Sequence, residues 1–319
     1  MHAIGVDIGG TKIAVGVVDD AGAIVAKTRR KTQPQDASSI DAAIADAVAE
    51  LAQDYEFQAV GLAAAGFVSS DRQHVLFAPN IAWREYALAD KVAALISRPD
   101  VTVVVENDGN AAGWAEFQYG AGRDANNMVM LTIGTGLGAA LVVDGQLVRG
   151  EYGFGAELGH FRVVPGGQPC GCGHRGCWEQ YASGSALVRE AQRAAVERPV
   201  RAAGLLKLAG DDPARIGGPH VTAAAVDGDD LGIELLAELG SWIGQGCASL
   251  AAVLDPKLFV VGGGVIAAGD LMLEPARGAY LEYLPARGHR PIAPIVAADM
   301  GNDAGIVGAA ALARQATGE

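Results

Sequence analysis

The chain lacks most features of nucleic-acid-binding, membrane-spanning and exported proteins. Acidic residues outnumber basic ones by 37 to 24 among 319 residues, and the formal net charge is −13. The longest basic cluster, Arg29-Arg30-Lys31, is too short for a nucleic-acid-binding surface. No apolar run reaches the roughly 20 residues of a membrane-spanning helix without a charge or a glycine, and no signal peptide precedes the first strand. We therefore expect a cytoplasmic protein that binds neither nucleic acid nor membranes.

Cysteine is scarce, but the few cysteines are clustered. Of four in the chain, Cys170, Cys172 and Cys177 fall within eight positions and are separated by glycines that let the backbone turn tightly. Zn²⁺ prefers four tetrahedral nitrogen or sulfur ligands, so the cluster predicts a structural zinc site; the alternatives are reduced thiols, or one disulfide and a spare cysteine. Two histidines are candidates for the fourth ligand. The short spacing of His174 from the cysteines would strain it, which favours His160.

A length of 319 residues favours two domains, each large enough to bury its own core. Half of the residues are hydrophobic and only 6% are aromatic, a composition that suits closely packed α/β layers. A strand, a Gly/Thr-rich loop and a second strand open the chain, and the same pattern returns at residues 128–143. One constant shift places Gly9 on Gly134 and Asp19 on Asp144. This weak repeat predicts a duplicated mixed α/β fold with a cleft between its halves.

Hydrophobic periodicity and turn residues predict the main helices and strands. We expect helices over residues 39–53 (with Ser38 or Ser39 as N-cap), 88–96, 109–116, 231–254 and 304–314, the last folding back on the first domain. We expect strands over residues 3–6, 13–18, 24–27, 60–64, 101–105, 128–133, 139–143 and 258–261. Residues 186–225 are expected to form peripheral helices.

The first loop, Asp7-Ile8-Gly9-Gly10-Thr11-Lys12, lies between two strands, so it is neither a Walker loop nor a dinucleotide fingerprint. Gly9 and Gly10 can bring backbone N–H groups close to phosphate oxygens, and Thr11 and Lys12 add a hydroxyl and a positive charge. Asp7 would repel a phosphate directly, so its expected role is to hold hydrated Mg²⁺. An ordinary hairpin turn is the alternative.

Two further glycine-rich turns offer backbone for nucleotide binding. The second loop, Gly134-Thr135-Gly136-Leu137-Gly138, carries the same groups as the first, and two such loops suit a triphosphate. The third, Gly262-Gly263-Gly264, follows a strand, where it can expose flat backbone to an adenine or ribose or simply begin the next helix.

Asn107 and Asp108 follow an apolar strand, at a position where α/β folds place ligand sites. An amide can donate to and accept from sugar hydroxyls, and a carboxylate can take a hydroxyl proton in phosphoryl transfer. Asp108 could equally cap the helix that follows. Glu157 and Glu179 flank the cysteine cluster in glycine- and aromatic-rich sequence, and each is either an acceptor for hydroxyls or a surface charge.

In this order, the motifs resemble the ROK family, the bacterial sugar kinases and sugar-responsive repressors of the hexokinase/actin-like superfamily. The match extends over essentially the whole chain, and its most specific part is the Cys-Gly-Cys-Gly-x-x-Gly-Cys-x-Glu loop that ends at Glu179. The resemblance implies a duplicated actin/hexokinase-like (ribonuclease H-like) fold and a homodimer. It implies a smaller N-terminal domain, residues 1–112 plus 301–319, and a larger domain, residues 113–300, with the zinc loop.

The resemblance also implies residue roles. Asp108 is expected to be the catalytic base that acts on the 6-hydroxyl of the sugar. The other hydroxyls would be held by Gly66, Asn80, Asn107, Glu157, His160 and Glu179. Binding of ATP and Mg²⁺ would involve Asp7, Gly9, Gly10, Thr11, Lys12, Gly134, Thr135, Gly136, Gly138, Gly263 and Gly264. His160 would bind zinc through one ring nitrogen and donate to the sugar through the other, since metal ligation fixes the tautomer.

The expected activity is therefore ATP-dependent phosphorylation of the 6-hydroxyl of glucose. Kinases of N-acetylglucosamine, N-acetylmannosamine or fructose are the alternatives within the family, and polyphosphate is an alternative donor. A sugar-responsive transcriptional repressor is the alternative from a different class. Those members carry a helix-turn-helix before the phosphate loop, whereas this loop begins at residue 7, and the acidic charge also disfavours DNA binding.

Overall fold

Two hairpins of similar sequence each begin a five-stranded sheet in the computed structural model, which describes residues 2–318. The strands are β1 (Ala3–Ile8), β2 (Lys12–Val18), β3 (Ile24–Lys31), β4 (Ala59–Ala64), β5 (Phe67–Val68), β6 (Val75–Phe77), β7 (Arg84–Tyr86), β8 (Thr102–Asn107), β9 (Met128–Ile133), β10 (Leu137–Val143), β11 (Gln146–Leu147), β12 (Leu258–Gly262) and β13 (Ile295–Ala297). The α-helices are α1 (Ala37–Leu51), α2 (Leu88–Ile96), α3 (Asp108–Tyr119), α4 (Gly184–Glu197), α5 (Ala203–Leu208), α6 (Gly218–Val226), α7 (Asp230–Leu254), α8 (Asp270–Tyr283) and α9 (Ala304–Ala316).

The two large sheets have the same strand order. The first is β3-β2-β1-β4-β8 and the second is β11-β10-β9-β12-β13. In the first hairpin the register pairs Ile8 with Ile13 and Asp7 with Ala14. Strands β1, β4 and β8 run parallel, as do β9, β12 and β13. This repeated topology confirms the duplicated α/β fold, whereas the small sheet β5-β6-β7 was not predicted.

Helix α1 packs on the first sheet through apolar residues that recur at helical spacing. Its buried residues include Ile40, Ile44, Val48 and Leu51, which share one hydrophobic cluster with β1, β2 and β4. The N-cap is Asp36, whose carboxylate accepts the N–H of Ser39 at 3.0 Å. The prediction of Ser38 or Ser39 as the N-cap is therefore wrong. An aspartate two or three residues earlier satisfies the same orphan donor.

Helix α9 packs on the first sheet at very short range. A Cβ atom on Gly5 of β1 would lie 1.8 Å from the carbonyl oxygen of Ile306, and one on Gly61 of β4 would lie 1.9 Å from that of Ala309. Only glycine at both strand positions lets the helix backbone come so close. The last helix therefore folds back on the N-terminal sheet, as predicted.

Contacts between residues divide the chain into two units. The first comprises Met1–Asn126, Ala140–Ala156 and Asp299–Glu319, and the second comprises Asn127–Ala139 and Glu157–Ala298. The division passes through β10. The predicted boundary after residue 112 instead falls inside α3, so the contacts divide the chain differently from the domains that the resemblance implies.

The helices of the second unit follow the prediction with one exception. Helices α4, α5 and α6 occupy the stretch predicted as peripheral helices, and α7 begins one residue before the predicted start at 231. After β12 the chain forms a 3₁₀ turn over Gly264–Ala268, and α8 begins only at Asp270. Although α7 is 25 residues long, no helix within residues 2–318 is both long and apolar enough to cross a membrane.

Candidate active site

The first loop is a tight hairpin turn held by a residue from a neighbouring strand end. Strand β1 continues through Ile8, and the N–H of Gly9 donates to the carbonyl oxygen of Lys12 at 3.0 Å. The buried Thr32, just after β3, donates its hydroxyl to the carbonyl oxygen of Gly9 at 2.7 Å and its N–H to that of Thr11 at 3.2 Å. The loop backbone is thereby fixed, while the side chains of Thr11 and Lys12 are exposed.

Asp7, the seventh residue of the chain, is half-buried near the end of β1. Burial raises the pKa of its carboxyl group above the ordinary value, while the charges of Lys12 and Lys27 oppose this shift and that of Asp303 adds to it. Lys27 is itself ion-paired with Asp303. A partly desolvated carboxylate beside a phosphate-type loop is suited to hold a divalent cation.

Asn107 and Asp108 lie at the junction of β8 and α3. The Asn107 Oδ1 atom accepts the N–H of Asn110 at 3.0 Å, so Asn107 is the N-cap, and its Nδ2 donates to the carbonyl oxygen of Gly66 at 3.1 Å. Asp108 is exposed in the first turn, where its Oδ1 accepts the N–H of Gly109 at 3.0 Å. The alternative in which Asp108 is the helix cap is therefore wrong.

Gly66 lies beside Asn107, and Asn80 lies beside the first loop. A Cβ atom on Gly66 would come within 2.5 Å of the carbonyl oxygen of Phe77, so this position requires glycine. Asn80 is exposed, and its Cβ lies 4.0 Å from the place of a Cβ on Gly10. The side chain of Asn80 is thus adjacent to the first loop.

The turn that carries Asn80 is held by an arginine that sequence reasoning missed. The Nη1 atom of Arg84 donates to the carbonyl oxygens of Ala78 at 2.8 Å and Ile81 at 3.3 Å, on either side of Asn80. The guanidinium group also lies over the ring of Phe77, 4.2 Å from its centroid. Arg84 therefore restricts the path of this turn.

In the second unit, the loop Gly134–Gly138 is supported by the start of α4 and by Glu179. The N–H of Gly184 donates to the carbonyl oxygen of Gly134 at 2.8 Å. The Glu179 Oε2 atom accepts the N–H of Leu137 at 3.2 Å, and a Cβ on Gly136 would lie only 2.2 Å from that oxygen. Glu179 thus connects the cysteine segment to the second glycine loop, and Thr135 remains exposed.

The third glycine turn lies against the end of β9. Gly263 has a φ of +91°, and a Cβ at this position would lie 2.4 Å from the carbonyl oxygen of Ile133. Both constraints favour glycine. The turn therefore lies beside the second loop, which starts at the next residue after Ile133, and Gly264 begins the 3₁₀ turn.

The structure gathers the predicted metal ligands. Ligand atoms of His160, Cys170, Cys172 and Cys177 all lie within 4.8 Å of one another. The Cys170 Sγ atom is 3.7 Å from His160 Nδ1, and the Cys172 Sγ atom is 3.6 Å from Cys177 Sγ. In a tetrahedron with Zn–S bonds of about 2.3 Å the ligand atoms are about 3.8 Å apart, so the set fits a zinc ion. His174 is not in this group; its carbonyl oxygen accepts the N–H of Cys170 at 2.8 Å.

The chemistry of the cluster also suits a cation. Burial, together with the neighbouring sulfurs of Cys172 and Cys170, raises the pKa of Cys177 to about 12. Without a cation the Cys177 thiol therefore holds its proton, and a bound metal ion would displace it. The segment is anchored by Trp178, which is buried and donates from Nε1 to the carbonyl oxygen of Trp242 at 2.9 Å.

Glu157 and His160 lie at the two ends of a short 3₁₀ turn beside the cluster. The N–H of His160 donates to the carbonyl oxygen of Glu157 at 3.1 Å. Because His160 Nδ1 faces Cys170, Nε2 is the nitrogen left for a ligand. Burial of its carboxyl group raises the pKa of Glu157, with the charge of His160 opposing the shift and that of Glu179 adding to it.

The chain is similar to known proteins over nearly its whole length. A model of the ROK family matches residues 3–316. A glucokinase of Streptomyces coelicolor is 48% identical over 312 residues, which are 98% of this chain and 97% of that protein. An N-acetylmannosamine kinase of Yersinia pestis is 31% identical over 313 residues, 98% of each chain. A crystal structure of a ROK family glucokinase from Streptomyces griseus, in complex with glucose and AMPPNP, has a TM-score of 0.88 at 48% identity and covers 99% of this chain and 100% of that one.

Proposed function

The chain belongs to the ROK family, and from this premise we propose that it is a glucokinase, which transfers the γ-phosphoryl group of ATP to the 6-hydroxyl of glucose. The observation that carries the proposal is the Streptomyces griseus glucokinase, whose solved complex contains glucose and AMPPNP and whose fold and length match this chain at 48% identity. The Streptomyces coelicolor glucokinase supports it at the same identity.

We assign proton transfer to Asp108. Its carboxylate is exposed in the first turn of α3, and the capping of that helix is done by Asn107. A carboxylate oxygen of Asp108 can therefore accept the proton of the 6-hydroxyl as the bond to phosphorus forms. This role makes the acceptor oxygen a better nucleophile without a covalent intermediate on the protein.

The remaining hydroxyls of glucose would be held by the polar groups that the resemblance identifies. These are Asn80, Asn107, Glu157, His160, Glu179 and the backbone at Gly66. Part of their hydrogen-bonding capacity is already used. Asn107 is hydrogen-bonded to Gly66 and Asn110, and Glu179 accepts the N–H of Leu137. Each amide or carboxylate still retains a donor or a lone pair for a sugar hydroxyl.

On the donor side, the phosphates of ATP would bind to the two glycine loops. Exposed Thr11, Lys12 and Thr135 can bond to phosphate oxygens, and backbone N–H groups add further donors. Asp7 would hold Mg²⁺, which, when bound, neutralises negative charge that develops on the phosphates. The turn at Gly263 and Gly264 offers backbone to the nucleoside.

We also propose that His160 and the three clustered cysteines hold a structural zinc ion. Its effect on catalysis would be indirect, because ligation through Nδ1 leaves Nε2 of His160 protonated and aimed as a donor to the sugar. A cytoplasmic location would supply ATP and the reducing conditions that keep the cysteines as thiols. A homodimer is expected from the resemblance, and light scattering of the purified protein would test it.

A kinase of an N-acetylated hexosamine is the second candidate, because the Yersinia pestis N-acetylmannosamine kinase is 31% identical over the same range. A site built to bond a ring hydroxyl penalises an analogue that masks it, since its own polar groups are left unpaired. With His160 expected near the 2-hydroxyl, glucose should be preferred over sugars with an N-acetyl group there.

The experiment that tests the proposal compares initial rates with ATP and with polyphosphate for glucose, mannose, fructose, N-acetylglucosamine and N-acetylmannosamine. We expect the highest kcat/KM for glucose with ATP, and lower but measurable turnover of mannose. A higher kcat/KM for either N-acetylated sugar would replace the sugar assignment and keep the kinase. Absence of phosphorylation with every sugar and both donors would contradict the function itself.

A further inference from the structure

A buried ion cluster lies directly beside Asn107 and Asp108, and the mechanism above does not use it. The side chain of Glu106 is 4% exposed, and Arg149 approaches its Oε2 atom with Nη2 at 2.7 Å and Nε at 2.8 Å. The Nε atom of Arg72 lies 3.5 Å from the same oxygen. One carboxylate oxygen therefore faces two guanidinium groups.

The other oxygen of Glu106 binds both sides of Asp108. The Oε1 atom accepts the backbone N–H of Asn107 at 3.1 Å and the side-chain Nδ2 of Asn110 at 3.0 Å. Asn107 and Asn110 are in turn joined by the N-cap hydrogen bond of α3. Asp108 is thus held on a short segment whose residues before and after it are tied to a single buried carboxylate.

Arg72 connects the cluster to two parts of the first unit. Its backbone is in the left-handed region with a φ of 62°, and its carbonyl oxygen accepts the N–H of Val105 at 2.9 Å. Its Nη2 atom donates to the carbonyl oxygen of Leu312 in α9 at 3.2 Å. Burial lowers the pKa of Arg72, and the charge of Glu106 opposes that shift.

Arg149 connects the cluster to a different segment. It lies two residues after β11, and its carbonyl oxygen accepts the N–H of Gly155 at 2.8 Å. The segment continues to Glu157, which is one of the residues assigned to hold the sugar. Glu106 therefore joins the junction of β8 and α3 to the segment that follows β11.

Stability alone is a weak reason for such a cluster. Desolvation of buried charges offsets much of their attraction, and apolar replacements of similar volume are often as stable. What the ion cluster does provide is direction. The Nε–H of Arg149 donates to Oε2 of Glu106, while Oε1 accepts two further N–H groups, and these bonds together allow few orientations of the carboxylate. That carboxylate in turn fixes the backbone around Asp108.

We propose that Glu106, held by Arg149 and Arg72, positions Asp108 for proton transfer. The inference rests on the proposed kinase function. Arg149 is a positioning residue in this scheme, because it acts through Glu106 and the backbone of Asn107. Its removal should lower turnover more than it weakens glucose binding.

The first test uses Arg149→Met, which removes the Nε–H donor and the positive charge and keeps an apolar side chain. A small displacement of a catalytic group can cost about 100-fold, so we expect kcat to fall by about 10- to 100-fold. The KM for glucose should change by less than about twofold, as it does when an interaction made only in the transition state is lost. Arg193→Met, which removes exposed ion pairs to Glu190 and Glu197 on α4, is the matched control and should keep wild-type kinetics.

The second test places Arg149→Met in an Asp108→Asn background. Because the base is then absent, loss of its positioning should lower the remaining kcat by less than about twofold. A purely structural role would instead lower kcat by the same factor in both backgrounds. Thermal unfolding of each variant shows whether it is folded.

The outcomes separate the two claims. Wild-type protein that phosphorylates no hexose would remove the kinase function. If the wild type is active, three results with a folded Arg149→Met variant would overturn the positioning role alone. These are an unchanged kcat, a loss of glucose affinity only, or a fall in kcat by the same factor in both backgrounds. If Arg149→Met does not fold, Arg149→Lys is held to the same criteria, since lysine keeps the charge but lacks the Nε–H group that bonds Glu106.

Discussion

Replacement of Glu116 should destabilise the protein strongly, because its carboxylate is bonded entirely by backbone groups. Glu116 lies on α3 and is 0% exposed. Its Oε1 atom accepts the N–H of Met300 at 2.7 Å, and its Oε2 atom accepts those of Ala121 at 3.0 Å and Asp299 at 3.1 Å. These bonds tie the end of α3 to the segment at which the chain re-enters the first unit.

The magnitude follows from the donors that would be left without a partner. A hydrogen bond to a charged group contributes about 1.5–3 kcal/mol, and a buried donor without a partner costs about 1–3 kcal/mol. Asp299 is exposed and Met300 is half-buried, so water can replace part of the loss. We expect Glu116→Ala to lower the free energy of unfolding by about 3 kcal/mol, and Glu116→Gln, which keeps one acceptor oxygen, by about 1.5 kcal/mol.

Thermal unfolding measures this effect. A loss of 1 kcal/mol lowers the Tm by roughly 2–4 °C in a unit of this size, so Glu116→Ala should melt about 6–12 °C below wild type. Glu197→Gln removes an exposed carboxylate paired with Arg193 and should leave the Tm unchanged. An unchanged Tm for both Glu116 variants would refute the reasoning, since the buried acceptor would then contribute nothing.

Three further predictions follow from the site. Cys172→Ser should lower the zinc content of purified protein from about one ion per chain and lower its Tm, whereas His174→Ala should change neither; equal metal content in all three proteins, by atomic spectroscopy, would contradict the ligand set. Because burial raises the pKa of Asp7, its carboxylate takes up a proton at a higher pH than an ordinary aspartate does. As the pH is lowered, the KM for MgATP should therefore begin to rise at a pH above the ordinary pKa of aspartate. Asp7→Asn should have a high KM at every pH and lack this acid limb; an unchanged profile would refute the assignment. Arg84→Met should raise the KM for glucose with a smaller change in kcat, because the turn that carries Asn80 loses its support; an unchanged KM would show that the turn holds its own shape.

Local sequence patterns were sufficient to predict the structure of short segments that have few accessible conformations. The first loop was predicted as a glycine turn between two strands, and the structure closes it with the bond from Gly9 to Lys12. Cys170, Cys172 and Cys177 were predicted to gather because glycine-rich loops of this length keep their thiols near one another, and the structure brings them together. The repeated hairpin pattern also predicted the duplicated topology, which the two sheets of identical strand order confirm.

Neighbouring residues of similar capping ability were not distinguished from sequence. Both Asn107 and Asp108 can cap a helix, and which one does so depends on where β8 ends, which the sheet pairing with β4 sets. Asp36 likewise took the cap that was assigned to Ser38 or Ser39. Such choices depend on packing outside the local segment.

Supporting side chains could not be predicted because their partners are distant in the chain. Thr32 bonds to Gly9, 23 residues away, and Arg149 bonds to Glu106, 43 residues away. No spacing rule or motif relates such pairs. They become recognisable only once the fold has brought their strands together.

The central claim is that Asp108 is the base in phosphorylation of glucose by ATP, and steady-state kinetics of Asp108→Asn test it most directly. The account predicts that kcat falls by about 10²- to 10⁴-fold while the KM for glucose and the Tm stay near wild type. Asp90→Asn, at an exposed position in the first turn of α2, is the matched control and should keep wild-type kcat. A folded Asp108→Asn variant with wild-type kcat would contradict the account.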